Sequence, residues 1–156
     1  MGQQFASDNN AGMCPEALEA LIRENAAGHR MGYGGDEVTA AAAKAVQELF
    51  EADCSVHFVF NGTAANALGL AQISQPYHAV IAHAFSHIEW DEAGALGFFS
   101  GGASVLSADL PGAKLTVEAA AELATRFKGI HHVKARAISL TQATELGTVY
   151  SLDEIA

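Results

Sequence analysis

A bound phosphate needs backbone N–H groups that no side chain crowds, and Asn61-Gly62-Thr63-Ala64-Ala65-Asn66 offers them where a strand is expected to end and a helix to begin. Gly62 keeps bulk away and the Thr63 hydroxyl adds a donor. The stretch follows neither of the common glycine-rich phosphate patterns, and Thr63 also reads as a plain helix N-cap. His87, in Ala84-Phe85-Ser86-His87-Ile88-Glu89-Trp90, follows the next expected strand, where α/β sheets present groups at their carboxyl edge. A flat imidazole there can cover one face of an aromatic ring, or can be a hydrogen-bonded core or surface histidine. His131 and His132 carry the same two readings. Glu89, Asp91 and Glu92 read as solvated carboxylates or as caps of the following helix. The histidines and carboxylates do not fall at metal-ligand spacing, and no Ser/His/Asp arrangement stands out.

The elements that must position these groups are legible in the apolar period. Pro15 with Leu18, Leu21 and Ile22 predicts a first helix, terminated near Gly28. Asp36 caps a second, whose face runs Val38, Ala42, Val46, Leu49, Phe50 and which ends near Asp53. Ser55 to Phe60 is a short, nearly continuous apolar run, predicted as a strand buried on both faces. A small-residue helix from Thr63 to about Ser74 follows it. Strands are expected at His78 to His83, Ser104 to Ser107 and Ala135 to Leu140, with a helix from Val117 to Phe127 that Thr116 caps. Strands alternating with helices of this length, without hairpin signals, predict parallel βαβ units in one α/β domain spanning 1–156.

Composition narrows the classes further. Half of the 156 residues are hydrophobic, which is enough for a sizeable core. No apolar run approaches the roughly 20 residues of a membrane span. The amino terminus lacks the basic start and apolar stretch of a secretory leader, so the expected location is cytoplasmic. Eight Lys plus Arg against eighteen Asp plus Glu, a net charge of -10, argue against a nucleic-acid partner. Cys14 and Cys54 are expected as reduced, buried or half-buried thiols. Ser151-Leu152-Asp153-Glu154 has the form of a capping box, a helix start whose Glu154 lies only two residues before Ala156, and it predicts a truncated chain.

Five segments in order resemble the threonine aldolases of the β-eliminating lyase group: Ser7-Asp8-Asn9; Tyr33-Gly34-Gly35-Asp36-Glu37-Val38-Thr39; Asn61 to Asn66; Ser86-His87 with Asp91-Glu92-Ala93-Gly94; and Ser139-Leu140-Thr141-Gln142 with Gly147-Thr148-Val149-Tyr150. The resemblance implies a truncated part of the large domain of a fold type I pyridoxal phosphate enzyme, a mostly parallel sheet flanked by helices, working as a homodimer or homotetramer. It implies that Gly62 and Thr63 hold the phosphate of pyridoxal 5'-phosphate with Asn66 nearby, and that His87 stacks on the pyridine ring. It further implies that His131 lies near the β-hydroxyl of an amino acid substrate, that Ser7 helps bind the carboxylate, and that Tyr33 reaches a neighbouring subunit's site. The implied reaction cleaves a β-hydroxy-α-amino acid, threonine giving glycine and acetaldehyde, with His87 or His131 as the base. The family's pyridine-pairing Asp and cofactor-bearing Lys are missing from the sequence, and Lys44, Lys114, Lys128 and Lys134 read as surface charges. A non-catalytic fragment and another fold type I lyase or transaminase are the alternative readings.

Overall fold

The computed structural model describes residues 6–156, without the side chain of Asp8. The first five residues of the amino-terminal stretch read above thus lie outside the described residues. Two units make up the chain, one up to His57 and one from Phe58 onward.

The first unit holds a short 3-10 helix (Asp8–Asn10), α1 (Pro15–Ala26) and α2 (Glu37–Phe50). Both predicted helices are present. Gly28 takes a positive φ of 88° just beyond α1, as a terminating glycine does. Asp36 caps α2 by accepting from the Thr39 N–H at 2.8 Å and from its hydroxyl at 2.6 Å, and these bonds hold its carboxyl below the usual range. Cys54 is half-buried, but Cys14 is exposed, against expectation, because it precedes the first turn of a helix with no buried residue.

In the second unit α3 (Gly62–Ile73), β1 (His78–His83), α4 (His87–Trp90), α5 (Ala95–Ser100), β2 (Ser104–Ala108), α6 (Val117–Thr125), β3 (Lys134–Ile138) and α7 (Leu152–Ile155) follow in order. The three strands form a parallel sheet in the order β2-β1-β3. Alternation along β1 builds a layer on each side. Val80 and Ala82 pack with Ile88, Leu96 and Ala103, while Ile81 packs with Leu115, Ala120 and Leu123. Burial on both faces explains why the strand reads as one apolar run.

Ile81 is 2% exposed and lies against the α6 layer. Truncation to alanine leaves a cavity that close-packed neighbours fill only in part. Ile81→Ala is expected to cost about 2–5 kcal/mol, read as a lowered denaturant midpoint with an unchanged slope.

Ser55 to Phe60 does not form the predicted strand. A strand exists by pairing its N–H and C=O groups, and the described ladders flank β1 with β2 and β3 only. Phe58 and Phe60 are exposed. No helix among the described residues is long and apolar enough to cross a membrane.

The predicted capping box is present around α7. Ser151 and Glu154 bond reciprocally, and the Glu154 carboxylate also accepts from Lys114 Nζ at 2.9 Å. The Ser151 backbone N–H first, then the Lys114 ammonium, hold the Glu154 carboxyl at about 2, down from 4.5. A carboxyl whose pKa is depressed by folding stabilises above its unfolded value and loses that contribution as pH falls through the folded one. Protection of the α7 amides from hydrogen exchange is therefore expected to hold down to pH 4.5 and to fade as the pH approaches about 2.

Candidate functional site

At the start of α3 the cap is Asn61, not Thr63: the Asn61 side chain accepts from the Ala64 N–H at 2.9 Å. The Ala65 N–H begins the helical ladder by donating to the Asn61 carbonyl. The N–H groups of Gly62 and Thr63, and the Thr63 hydroxyl, have no hydrogen-bond partner among the described residues. These donors sit at the positive end of a helix of 12 residues. A Cβ added at Gly62 would meet nothing within 4 Å, and its φ lies outside the left-handed region. Nothing among the described residues therefore demands a glycine there; open space in front of the helix start is what the glycine preserves.

A cleft of about 350 Å³ opens at the carboxyl edge of β1 and β3. Gly62 and Asn66 of α3 line one side, His87 at the start of α4 another, and Ser139, Thr141 and Glu145 beyond β3 a third. The segment after β3 is pinned in place. Ser139 N–H donates to the Ile81 carbonyl at 2.8 Å, extending the sheet. Tyr150 N–H donates to the Gln142 side chain at 2.7 Å, and the buried Tyr150 hydroxyl accepts from Leu115 N–H at 2.6 Å. Thr144 and Thr148 bond to one another and to the Gly112 carbonyl.

His87 is half-buried, with its Nδ1 2.8 Å from Oε1 of Glu92. Asn66 Nδ2 donates to the same oxygen at 2.7 Å. The hydrogen bond to Glu92 is the main cause of a raised His87 pKa; burial opposes it, and the charges of Glu92, Glu145 and Asp91 add to it. Glu92 was expected to be solvated or a helix cap but is buried at 4% exposure. Three acids in four residues gave no hint which one turns inward. The neighbouring His83 plays a different part. Its Nδ1 accepts from Phe85 N–H at 3.0 Å, and its Nε2 lies 2.9 Å from both the backbone nitrogen and the carbonyl oxygen of Leu110, tying the ends of β1 and β2 together.

The structure thus brings Gly62, Asn66 and His87 onto one cleft, with Thr63 beside Gly62. It does not bring His131 there. His131 is exposed in the turn before β3, and the ladder pairs Lys134 with His78, so this turn lies at the amino edge of the sheet. His87 follows the carboxyl end of β1, so the sheet's length separates the two histidines. His132 stacks on Phe127 at 4.8 Å between ring centres. Ser7 and Tyr33 belong to the first unit. Ser7 accepts from Asn9 N–H at 3.2 Å; Tyr33 is fully exposed, with φ of 60°. Of the lysines, Lys44 pairs with Glu48, Lys114 with Glu154, and Lys134 donates to the Gly129 carbonyl. No lysine lines the cleft.

A parallel α/β sheet with a cleft at its carboxyl edge, a helix start on one wall and a carboxylate-held imidazole on another, is the class that fold and site define. Within that class the chain belongs to the beta-eliminating lyase family, whose sequence profile matches residues 4–156. It is 50% identical over 153 residues to the low specificity L-threonine aldolases of Pseudomonas sp. (strain NCIMB 10558) and Pseudomonas aeruginosa. That match takes in 98% of this chain and 44% of each relative. The solved structure of Leishmania major threonine aldolase superimposes with a TM-score of 0.84 at 33% identity, over 94% of this chain and 42% of that one. The fold class expected from the sequence, part of a fold type I large domain with a parallel sheet flanked by helices, is the one observed. The chain spans less than half the length of the curated relatives it matches.

Proposed function

We propose that residues 1–156 form the phosphate-binding and ring-covering part of a pyridoxal 5'-phosphate site in an aldolase. The whole protein would cleave a β-hydroxy-α-amino acid, threonine to glycine and acetaldehyde. The observation that carries this reading is the pair of N–H groups at Gly62 and Thr63, without a partner among the described residues, at a helix start whose Gly62 lines the same cleft as His87. The donor set fits the group. Two backbone N–H groups and a hydroxyl at a helix start suit a dianionic phosphate, Gly62 leaves it room to approach, and an imidazole supplies a flat partner for a pyridine ring.

When bound, the cofactor supplies the electron sink for the charge left as the Cα–Cβ bond breaks. Around it, the residues of this chain bind and orient. Gly62 and Thr63 hold the phosphate, and Asn66 stands beside them. His87 covers the ring, and its neutral form has a nitrogen able to take the proton of the substrate's β-hydroxyl. His131, at the far edge of the sheet, is not assigned a role. For Ser7 and Tyr33 the roles of carboxylate binding and of reaching a neighbouring subunit's site remain part of the proposal, as do a cytoplasmic location and assembly as a homodimer or homotetramer.

The test is incubation of the complete gene product with threonine and added pyridoxal phosphate. Release of glycine and acetaldehyde is expected. Transfer of the amino group to a keto acid, or cleavage of serine in place of threonine and phenylserine, would assign the site to another fold type I enzyme. Because no lysine lines the cleft, residues 1–156 expressed alone are expected to give no turnover.

A further inference from the structure

We propose that Glu92 is the positioning residue of this cleft: one buried carboxylate oxygen holds both the Nδ1 edge of His87 and the side-chain amide of Asn66. The His87 ring is thereby fixed in its Nδ1–H tautomer, with Nε2 as the free acceptor. That Nε2 serves the substrate rests on the function proposed above; the tautomer and the clamp do not.

Glu92 has no other visible task. Its side chain is fully inaccessible, yet it forms no contact with a lysine or arginine among the described residues, and its Oε2 is buried without a partner. Taking a carboxylate out of water is costly unless it is hydrogen-bonded, so its presence asks for a reason. Oε1 receives Asn66 Nδ2 at 2.7 Å from α3 and lies 2.8 Å from His87 Nδ1 on α4. The two donors come from the two elements that carry the proposed phosphate-holding and ring-covering groups. The backbone that turns Glu92 inward is itself unusual. Ala93 and Gly94 both take left-handed conformations, φ 49° and 76°, directly after it, and only the second is a glycine.

A carboxylate can only accept from Nδ1, so the hydrogen sits on that nitrogen in the neutral ring, and the opposite nitrogen is left bare. This is the arrangement by which a buried carboxylate sets the tautomer of a histidine base. The charged groups acting on the ring are Glu92 and Asp91 from its own segment and Glu145 from the segment after β3. The helix α3 faces it with the neutral Asn66.

The experiment is a pH titration of the imidazole nitrogens by NMR on the 15N-labelled protein, wild type beside Glu92→Gln and Glu92→Ala. In the wild type, neutral His87 is expected as the Nδ1–H tautomer; finding the Nε2–H form overturns the proposal, whatever the variants do. In Glu92→Gln the amide oxygen keeps the contact but the charge is gone, so the His87 pKa is expected to fall towards 6.5. A pKa unchanged in that variant, with the protein folded by circular dichroism, also overturns it. In Glu92→Ala the tautomer preference is expected to be lost. Binding of pyridoxal phosphate to the same samples is read separately: Nδ1–H in a protein that binds none leaves the clamp standing and removes the cofactor assignment.

Discussion

Gly62→Asp is expected to weaken the affinity of the complete gene product for pyridoxal phosphate by at least about 100-fold, while Gly62→Ala costs far less and leaves the protein folded. The argument begins with the helix start. Asn61 caps α3 and satisfies the Ala64 donor, while the Gly62 and Thr63 N–H groups have no partner among the described residues. Hydrogen bonds to a charged partner contribute roughly 1.5–3 kcal/mol each, so losing or opposing two of them reaches that 100-fold. A carboxylate at position 62 does both: it can accept from these donors itself, and its charge repels a phosphate. Alanine has room, since a Cβ there meets nothing within 4 Å, and it is the better helix former. The pair of variants separates loss of binding from loss of fold. Titration of cofactor binding alongside thermal unfolding is the measurement, and equal affinity in wild type and Gly62→Asp would remove the phosphate site from the start of α3.

His87→Ala is the second large effect, with kcat expected to drop by about 10²–10⁴-fold, the usual contribution of a positioned acid or base. Its pH dependence has a sign. The Glu92 hydrogen bond raises the His87 pKa above 6.5, and a protonated ring cannot accept a proton. Activity is therefore expected to rise with pH through a limb placed above 6.5, and this limb should be absent from the residual activity of the variant. The kcat/KM profile of the free enzyme against threonine checks it. A limb at or below 6.5 that persists in His87→Ala would assign the base elsewhere.

His131→Ala serves as the comparison. Because that residue is exposed in the turn at the amino edge of the sheet, its removal is expected to leave kcat within about twofold, as distant surface substitutions usually do. A loss as large as that of His87→Ala would restore the role the resemblance implied for it.

Much of the architecture was legible in the residue pattern. HAVIAH reads as a strand because β1 is covered on both faces, so every position tolerates or requires an apolar side chain. Asp36, Thr116 and Ser151 cap where expected, because a cap depends on a side chain and an N–H only three residues away. SVHFVF has the same composition as a buried strand and forms none, since strand formation depends on a partner that local sequence does not specify.

The site divides along the same line. Gly62 and Thr63 stood out in the sequence as a helix start and His87 as a group following a strand, whereas Asn66 and the roles given to all four came only with the family resemblance. Only the tertiary structure decided the rest. It turned Glu92 inward while Glu89 and Asp91 stayed exposed, in a turn after α4 with two left-handed residues that no charge count contains. It also put His131 at the amino edge and His87 beyond the carboxyl edge, because the side of the sheet a residue reaches is set by strand direction and register. Local chemistry, acting over three or four residues, is written in the sequence; which distant groups meet depends on how strands pair, and that is settled only when the sheet closes.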